Sequence, residues 1–209
     1  MARYIDIHSV DPQSRTVEQA VAVLRDGGLI AYPTDSGWAL GAQLGNAEAL
    51  DRIRRIRDLD NKHNFTLVCR DFSQLGQYVH VDNTVFRAVK AATPGPYTFI
   101  LPATREVPRK MQQEKKKTVG VRIPAYPIAM ALVEALGEPL VSTSLIMPAA
   151  EDEEPMTQAW QIADVLDDRI DAVIDPGIEV LPEPTTVVDL SEGAAEVVRV
   201  GAGDPAPFE

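Results

Sequence analysis

Apolar positions in this chain alternate between helical spacing and short continuous runs, from one end to the other. Residues 16–19 have the form of a capping box, and apolar residues at helical spacing follow them up to Gly27. Residues 28–32 then form an apolar run that predicts a buried strand ending at Pro33. The first thirty residues therefore predict a helix followed by a strand.

The same alternation continues to the end of the sequence. Further helices are predicted after Asn46, around residues 85–89, from Pro127 to Gly137, and over residues 158–166. Strands are predicted at residues 65–69, 97–101, 118–122, 139–142, 170–174, 185–190 and 196–200. This order predicts an α/β fold with a mixed, largely parallel sheet flanked by helices, in which ligands bind at the carboxyl ends of strands. The length of 209 residues suits one domain over 1–209.

The composition of the chain excludes several classes of protein and of site. A single cysteine, Cys69, excludes an intrachain disulfide and a cysteine-built zinc site, and its apolar surroundings predict a core position. The N-terminus lacks an apolar stretch of signal-peptide length, and no apolar run approaches a membrane span. We therefore expect a cytoplasmic protein that does not bind a membrane.

Charge is distributed unevenly along the chain. Residues 1–149 hold 18 Lys/Arg and 15 Asp/Glu, whereas residues 150–209 hold 2 and 16, so the net charge of −11 conceals two basic clusters. The clusters cover residues 52–57 and 105–122, and they are either binding surfaces for a polyanion or solvated faces. The acidic segment 148–156 is predicted to be a surface loop.

Common catalytic signatures are absent from the sequence. It has no phosphate-binding P-loop, no Gly-x-Gly-x-x-Gly after the first predicted strand, and no nucleophile elbow. The three histidines, His8, His63 and His80, lack the spacing of metal ligands, so no metal site is predicted.

Polar or basic residues instead follow four of the apolar runs, at residues 32–37, 57–65, 118–124 and 142–144. For the first two segments taken alone, an ordinary turn or polar loop is as good an explanation as a functional site. Arg122 lies within an apolar strand, where a charged side chain is rare unless it is paired or functional. The hydroxyls of residues 142–144 are able to donate hydrogen bonds to phosphate or carboxylate oxygens.

Taken together, these segments resemble the YrdC/YciO superfamily, and most closely its YciO branch. The resemblance covers nearly the whole chain and rests on the order of the motifs at residues 32–37, 57–65, 93–99, 121–124, 139–144, 185–189 and 198–201. It implies a twisted sheet around a large, concave, basic cavity. It also implies a threonylcarbamoyl-adenylate synthase, which joins threonine, bicarbonate and ATP, releases pyrophosphate and serves tRNA modification. ATP would enter as its Mg²⁺ complex, without a tightly bound cofactor.

The resemblance carries roles to particular residues of this sequence. Arg57 and Ser144 correspond to catalytic positions of the synthases. Thr34, His63 and Arg122 correspond to positions that bind threonine.

The nucleotide would be bound by Thr118, Ser142 and Arg199. Some members of the superfamily are described as binders of double-stranded RNA or tRNA. In this chain such binding would fall to the second basic cluster, at Arg109, Lys110, Lys115, Lys116 and Lys117.

Four positions depart from the synthase pattern. Leu59 replaces an arginine, His63 a lysine, and Ile146 an asparagine, while Arg57 replaces a lysine. Loss of one positioned donor typically costs ~10²–10³ in rate. The sequence therefore predicts an adenylate-binding protein with weak or modified synthase activity, and the alternative is an RNA-binding protein without efficient synthase activity.

Overall fold

In a computed structural model, the structure describes residues 1–60, 63–148 and 155–209. These residues form one ten-stranded sheet with helices on both faces. The strands are β1 (Arg3–Asp6), β2 (Leu29–Thr34), β3 (Gly37–Gln43), β4 (Thr66–Val68), β5 (Tyr97–Pro102), β6 (Thr118–Arg122), β7 (Leu140–Ser144), β8 (Ala172–Asp175), β9 (Thr186–Asp189) and β10 (Glu196–Arg199).

The sheet has the order β1-β8-β2-β3-β7-β4-β6-β5-β9-β10. The pairs β1–β8, β8–β2, β4–β6 and β5–β9 are parallel. The pairs β2–β3, β3–β7, β7–β4, β6–β5 and β9–β10 are antiparallel. The prediction of a mixed α/β sheet is confirmed, but the prediction that it is largely parallel is wrong. Three pairs of consecutive strands run antiparallel, and β7 enters the sheet antiparallel to both of its neighbours, β3 and β4.

The helices lie close to the predicted segments. They are α1 (Ser14–Arg25), α2 (Ala47–Arg57), α3 (Phe72–Tyr78), α4 (Asn83–Ala92), α5 (Pro127–Leu136) and α6 (Ala159–Leu166). Asn46 caps α2 by accepting a hydrogen bond from the backbone N–H of Ala49, as predicted. The capping box at residues 16–19 is wrong, since α1 begins at Ser14 and the Thr16 hydroxyl donates to the carbonyl of Gln13.

The β2–β3 hairpin is the main feature that the sequence pattern did not reveal. β2 runs through Pro33 to Thr34, and β3 returns antiparallel from Gly37, so Asp35 and Ser36 form the turn. Gly37 has φ 101° in the left-handed region, and an added Cβ would lie 3.2 Å from the Cα of Pro182. A glycine therefore permits the turn that places Asp35 and Ser36 beside the neighbouring strands.

The core lies on both faces of the sheet, because successive residues of each buried strand point to opposite sides. Leu29 and Ala31 face a cluster that includes residues of α2, α3, α4 and α6. Ile30 and Tyr32 face a second cluster that includes residues of α1 and α5. In the described part of the chain, no helix has the length and apolar character needed to cross a membrane.

Candidate functional site

A polar cavity of about 170 Å³ opens where the β2–β3 turn meets residues of β5, β6, β7 and β10. Six of the residues predicted from sequence line it together with other hydroxyl and amide side chains. The lining residues that carry polar side chains are Thr34, Ser36, His63, Asn64, Thr66, Thr98, Arg122, Ser142, Thr143, Ser144, Thr185 and Arg199. We call this space the polar cavity.

Arg122 is the most deeply buried cation of the polar cavity. It is the last residue of β6, its side chain is 7% exposed, and its Nη2 lies 2.5 Å from Oδ1 of Asp35. Its Nη1 donates to Oγ of Ser36 at 2.9 Å, while its Nε finds no hydrogen-bond partner among the described residues. A buried guanidinium requires such pairing, and the unpaired N–H is a donor available to a ligand.

The same turn orders the hydroxyl groups beside Arg122. Thr34 Oγ1 donates to the carbonyl of Gly37 at 2.7 Å and lies 3.0 Å from Oγ of Ser36. Since the Thr34 proton is used on Gly37, the Ser36 hydroxyl donates to Thr34 and accepts from Arg122. Thr34 Oγ1 also accepts from the backbone N–H of Ser36 at 3.1 Å, so its proton and both lone pairs are used within the turn.

Arg57 and His63 meet at the opposite wall, on the hydroxyl of Thr143. Arg57 Nη1 donates to Oγ1 of Thr143 and to the carbonyl of Ser144, and burial lowers the pKa of this guanidinium. The His63 Nε2 lies 3.1 Å from the same Thr143 oxygen. Burial, reinforced by the Arg57 charge, lowers the pKa of His63 to about 4. His63 is therefore neutral at pH 7 and adds no positive charge to the cavity.

Arg199 brings a further cation from the last strand of the sheet. Its Nε and Nη2 donate to the carbonyl of Thr185 at 3.1 and 2.9 Å, and Nη2 also contacts Oγ1 of Thr185 at 3.2 Å. Burial lowers the pKa of Arg199, and the Arg122 charge lowers it further. Arg122 and Arg199 therefore place two positive charges on one cavity, an arrangement that suits a negatively charged ligand.

The other predicted nucleotide contacts are placed differently from one another. Ser142 Oγ lines the polar cavity and hydrogen-bonds the buried Tyr32 hydroxyl at 2.7 Å, and burial raises the pKa of Tyr32 to about 12. Thr118 is buried and contacts Oδ1 of Asn64 at 3.3 Å, so Asn64 stands between Thr118 and the cavity. Ser144 is exposed at the cavity edge.

Sequence reasoning missed several residues of the cavity as site residues. Asp35, Ser36, Asn64 and Thr143 lie inside the quoted motifs, and their proximity to the assigned residues was the available signal. Thr66, Thr98 and Thr185 were missed because a threonine in a strand is ordinary. Their common orientation toward one cavity becomes visible only from the strand order.

A second cavity, of about 220 Å³ and largely apolar, adjoins the first and shares Ser36, Ser144 and Arg199 with it. We call it the apolar cavity, and Trp38 and Ile146 are among the side chains that line it. Ile146 is 59% exposed, so it lies at the surface of this cavity. Leu59, by contrast, packs against the hydrophobic core. Of the two departures that put an apolar residue in place of a polar one, Ile146 lines a cavity and Leu59 does not.

The predicted RNA-binding residues divide into paired and unpaired cations. Lys110 lies 3.6 Å from Asp51, and Lys116 lies 2.9 Å from Glu192, so carboxylates offset their charge. A groove of about 730 Å³ away from the polar cavity is lined by His80, Thr104, Arg105, Arg109, Gln112 and Lys117, among others. Lys115 is exposed.

The acidic loop predicted at 148–156 falls mostly on residues 149–154, which lie outside the described residues.

The strand ends, Arg122, Arg199 and the row of hydroxyls define an α/β protein with a polar, basic cavity. The Sua5/YciO/YrdC family, described as "Telomere recombination", matches residues 22–201, and the chain belongs to that family. The uncharacterized protein YciO of Escherichia coli K12 is 50% identical over 208 residues, covering 100% of both chains. A threonylcarbamoyl-AMP synthase of Halorhodospira halophila is 34% identical, covering 85% of this chain and 92% of that protein.

Solved structures agree with this assignment. The crystal structure of E. coli YciO superposes with a TM-score of 0.94 at 50% identity, covering 100% of both chains. The crystal structure of P. abyssi Sua5 complexed with L-threonine gives a TM-score of 0.82 at 28% identity, covering 95% of this chain and 57% of that one. The predicted family and fold are thereby confirmed.

The neutral state of His63 predicts a pH dependence of stability. Because the folded pKa of about 4 lies below the ordinary 6.5, the unfolded chain binds this proton first, and stability falls as pH drops from about 7 toward 4. His63→Gln should remove this contribution, so its free energy of unfolding should fall less between pH 7 and pH 5. Urea unfolding at several pH values measures this, with exposed His80→Gln as the control. Equal pH slopes for the parent and His63→Gln would contradict the assignment.

Proposed function

We propose that this protein binds ATP and threonine in the two adjoining cavities and forms threonylcarbamoyl-adenylate slowly. The observation that carries the proposal is the convergence of Arg122 and Arg199 on the polar cavity, next to an apolar space large enough for part of a ligand. The family includes proteins named threonylcarbamoyl-AMP synthase, and a Sua5 relative has been crystallised with L-threonine. Both names support the choice of substrates.

The unpaired donors suggest how the ligands would be arranged. The free Nε of Arg122 faces a buried environment, and a carboxylate such as that of threonine is the natural acceptor for it. Arg199, with the hydroxyls of Ser142 and Ser144, suits phosphate oxygens of ATP, which would enter as its Mg²⁺ complex. The apolar cavity would then hold the nucleotide base.

The reaction would proceed by attack of a carbamate oxygen on the α-phosphorus of ATP. The carbamate forms from the threonine amine and bicarbonate with release of water. Its oxygen then forms the phosphorus–oxygen bond of the adenylate, and the bond between the α-phosphorus and the bridging oxygen breaks as pyrophosphate leaves. The protein supplies positioned cations and donors, which stabilise charge only where they are aimed. Arg57 is held by the Ser144 carbonyl, and His63 is neutral, so fewer free cations face the departing pyrophosphate. A slow reaction follows from this arrangement.

Replacing Arg199 by alanine should weaken nucleotide binding. A hydrogen bond to a charged group contributes ~1.5–3 kcal/mol, so we expect affinity for ATP or AMP to fall by about 10- to 100-fold. Calorimetry with Mg²⁺ measures the change, and exposed Arg15→Ala is the control because it removes a distant positive charge. Arg199→Lys should recover only part of the affinity, since lysine lacks the forked contact to Thr185. Unchanged affinity in Arg199→Ala would overturn the placement of the phosphates.

Replacing Ile146 by asparagine should raise the synthase rate by at least several-fold. This change restores a donor at the junction of the cavities, whereas Leu59→Arg would remove an apolar side chain from the core. Pyrophosphate release, measured with and without threonine, reports the rate, and exposed Ile178→Asn is the matched control. A parent protein as fast as an efficient synthase, or a strict dependence on another amino acid, would contradict the proposal.

RNA binding is the second candidate function. The groove lined by Arg105, Arg109 and Lys117 is a better candidate surface for it than Lys110 and Lys116, whose charges are offset by carboxylates. Such binding would be electrostatic and would weaken steeply with salt. Replacing Arg109 and Lys117 together by alanine should reduce the salt slope of duplex RNA binding by about two, whereas Lys110→Ala with Lys116→Ala should change it less. The reverse order would place RNA elsewhere, and no binding by the parent would remove this candidate.

A further inference from the structure

Tyr32 and Ser142 bring two hydroxyl protons to a single hydrogen bond. The Tyr32 hydroxyl oxygen lies 2.7 Å from Oγ of Ser142, and the described residues give neither hydroxyl another hydrogen-bond partner. One proton is used between the two oxygens, and the other needs an acceptor elsewhere. The direction of this hydrogen bond therefore decides what Ser142 offers to a ligand.

Burial decides the direction. Tyr32 is 0% exposed, whereas Ser142 is 5% exposed and lines the polar cavity. If Ser142 donated to Tyr32, the Tyr32 proton would be buried without an acceptor, which is costly and rare in native proteins. Burial also raises the pKa of Tyr32 to about 12, so its hydroxyl keeps its proton at pH 7. Tyr32 therefore donates to Ser142, and the Ser142 proton is left for an acceptor in the polar cavity.

The register of the sheet places the Ser142 side chain on the cavity face. Ser142 and Ser144 are two residues apart on β7, so their side chains share one face of the sheet. Ser142 also pairs with Thr66 of β4, and Ser144 and Thr66 both line the polar cavity. Thr34, two residues after Tyr32 on β2, lines the same cavity. The hydrogen bond between Tyr32 and Ser142 thus lies on the face of the sheet that carries the cavity.

A glycine allows this hydrogen bond to reach across an intervening strand. β3 lies between β2 and β7, and Gly41 of β3 pairs with Ser142. A Cβ at position 41 would lie 2.9 Å from Cε1 of Tyr32 and 3.2 Å from Cδ2 of Leu140. The tyrosine ring occupies the space that a larger residue at position 41 would fill. The contact therefore depends on three neighbouring strands.

We propose that Tyr32 is a positioning residue, which donates to Ser142 and so leaves the Ser142 proton for an acceptor atom of the ligand, such as a phosphate oxygen. This inference rests on the proposed function, because it requires the phosphates of ATP to lie beside Ser142. It deepens that function by naming the kind of ligand atom that fits there. The ammonium group of threonine, which only donates, does not suit this position.

The test of the role in binding is a double-mutant cycle on the affinity for ATP with Mg²⁺, measured by calorimetry. Ser142→Ala removes the donor and should weaken ATP by about 10- to 100-fold. Tyr32→Phe keeps the ring and lets the Ser142 proton turn away, so it should weaken ATP by about 3- to 10-fold. In the Ser142→Ala background, Tyr32→Phe should change the affinity by less than about 2-fold, since Tyr32 acts through Ser142.

Tyr4→Phe is the matched control for the affinity measurement. It removes a tyrosine hydroxyl that donates to Oδ2 of Asp175 at 2.7 Å, and Tyr4 lines neither the polar nor the apolar cavity. This variant should leave the affinity for ATP unchanged.

The direction of the hydrogen bond is tested without a ligand, by urea unfolding of the same variants. Ser142→Ala leaves the buried Tyr32 hydroxyl without an acceptor, so it should lower the urea midpoint more than Tyr32→Phe does. Adding Tyr32→Phe to Ser142→Ala should raise the midpoint again, because the unpaired hydroxyl is then gone.

Three results would overturn this inference and leave ATP binding by the parent intact. They are an unchanged ATP affinity in Tyr32→Phe, an equal loss from Tyr32→Phe with and without Ser142, and a lower urea midpoint for Tyr32→Phe than for Ser142→Ala. The second would mean that the tyrosine acts on the fold alone, and the third that Ser142 is the donor. A parent protein that binds no ATP would instead overturn the proposed function, whatever the order of the urea midpoints.

Discussion

The buried ion pair between Arg122 and Asp35 is the constraint on which the site depends. Arg122 ends a strand in the interior of the sheet, where an unpaired charge would cost several kcal/mol. Asp35 reaches it only because Gly37 permits the tight β2–β3 turn, and Ser36 completes the contact. The fold therefore fixes the guanidinium through two of its nitrogens and leaves the third free. The Arg122 side chain therefore contributes to the stability of the fold and also carries the free N–H used in the proposed binding.

Local charge, and not the total, decides what such a protein attracts. The whole chain carries −11, yet Arg122 and Arg199 face one cavity, and the Arg122 charge lowers the pKa of Arg199. Asp35 pairs with Arg122, and the nearby His63 adds no further positive charge because it is neutral at pH 7. The anionic ligand proposed above would reduce the repulsion between the two arginines.

Much of this arrangement could be predicted from the sequence, because periodicity indicates elements and Arg122 stood out as a charge inside an apolar strand. The roles of the six cavity residues came from the family resemblance and remain proposals, although the pattern alone had singled out Arg122 and the hydroxyls of residues 142–144. β1 was not predicted because its side chains are mostly exposed, and α3 was not predicted because it is seven residues long with a glycine inside. β3 was not predicted because it contains two glycines and because its first residue, Gly37, fell in a segment that a turn could explain. Strand order, on which the cavity depends, is a non-local property that no local pattern contains.

The position of Arg199 has a consequence for the order in which the protein can become functional. β10 is the last strand along the chain and pairs with β9, which in turn pairs with β5. A nascent chain on the ribosome can form the β2–β3 hairpin early, but β7, which lies between β3 and β4 in the sheet, must be made before β6 can hold Arg122 beside Asp35. The polar cavity still lacks Arg199 until that residue has been translated and β10 has joined the edge of the sheet. A polypeptide that stops before β10 therefore has an unfinished cavity, and the nucleotide binding proposed above would begin only after this last strand has paired.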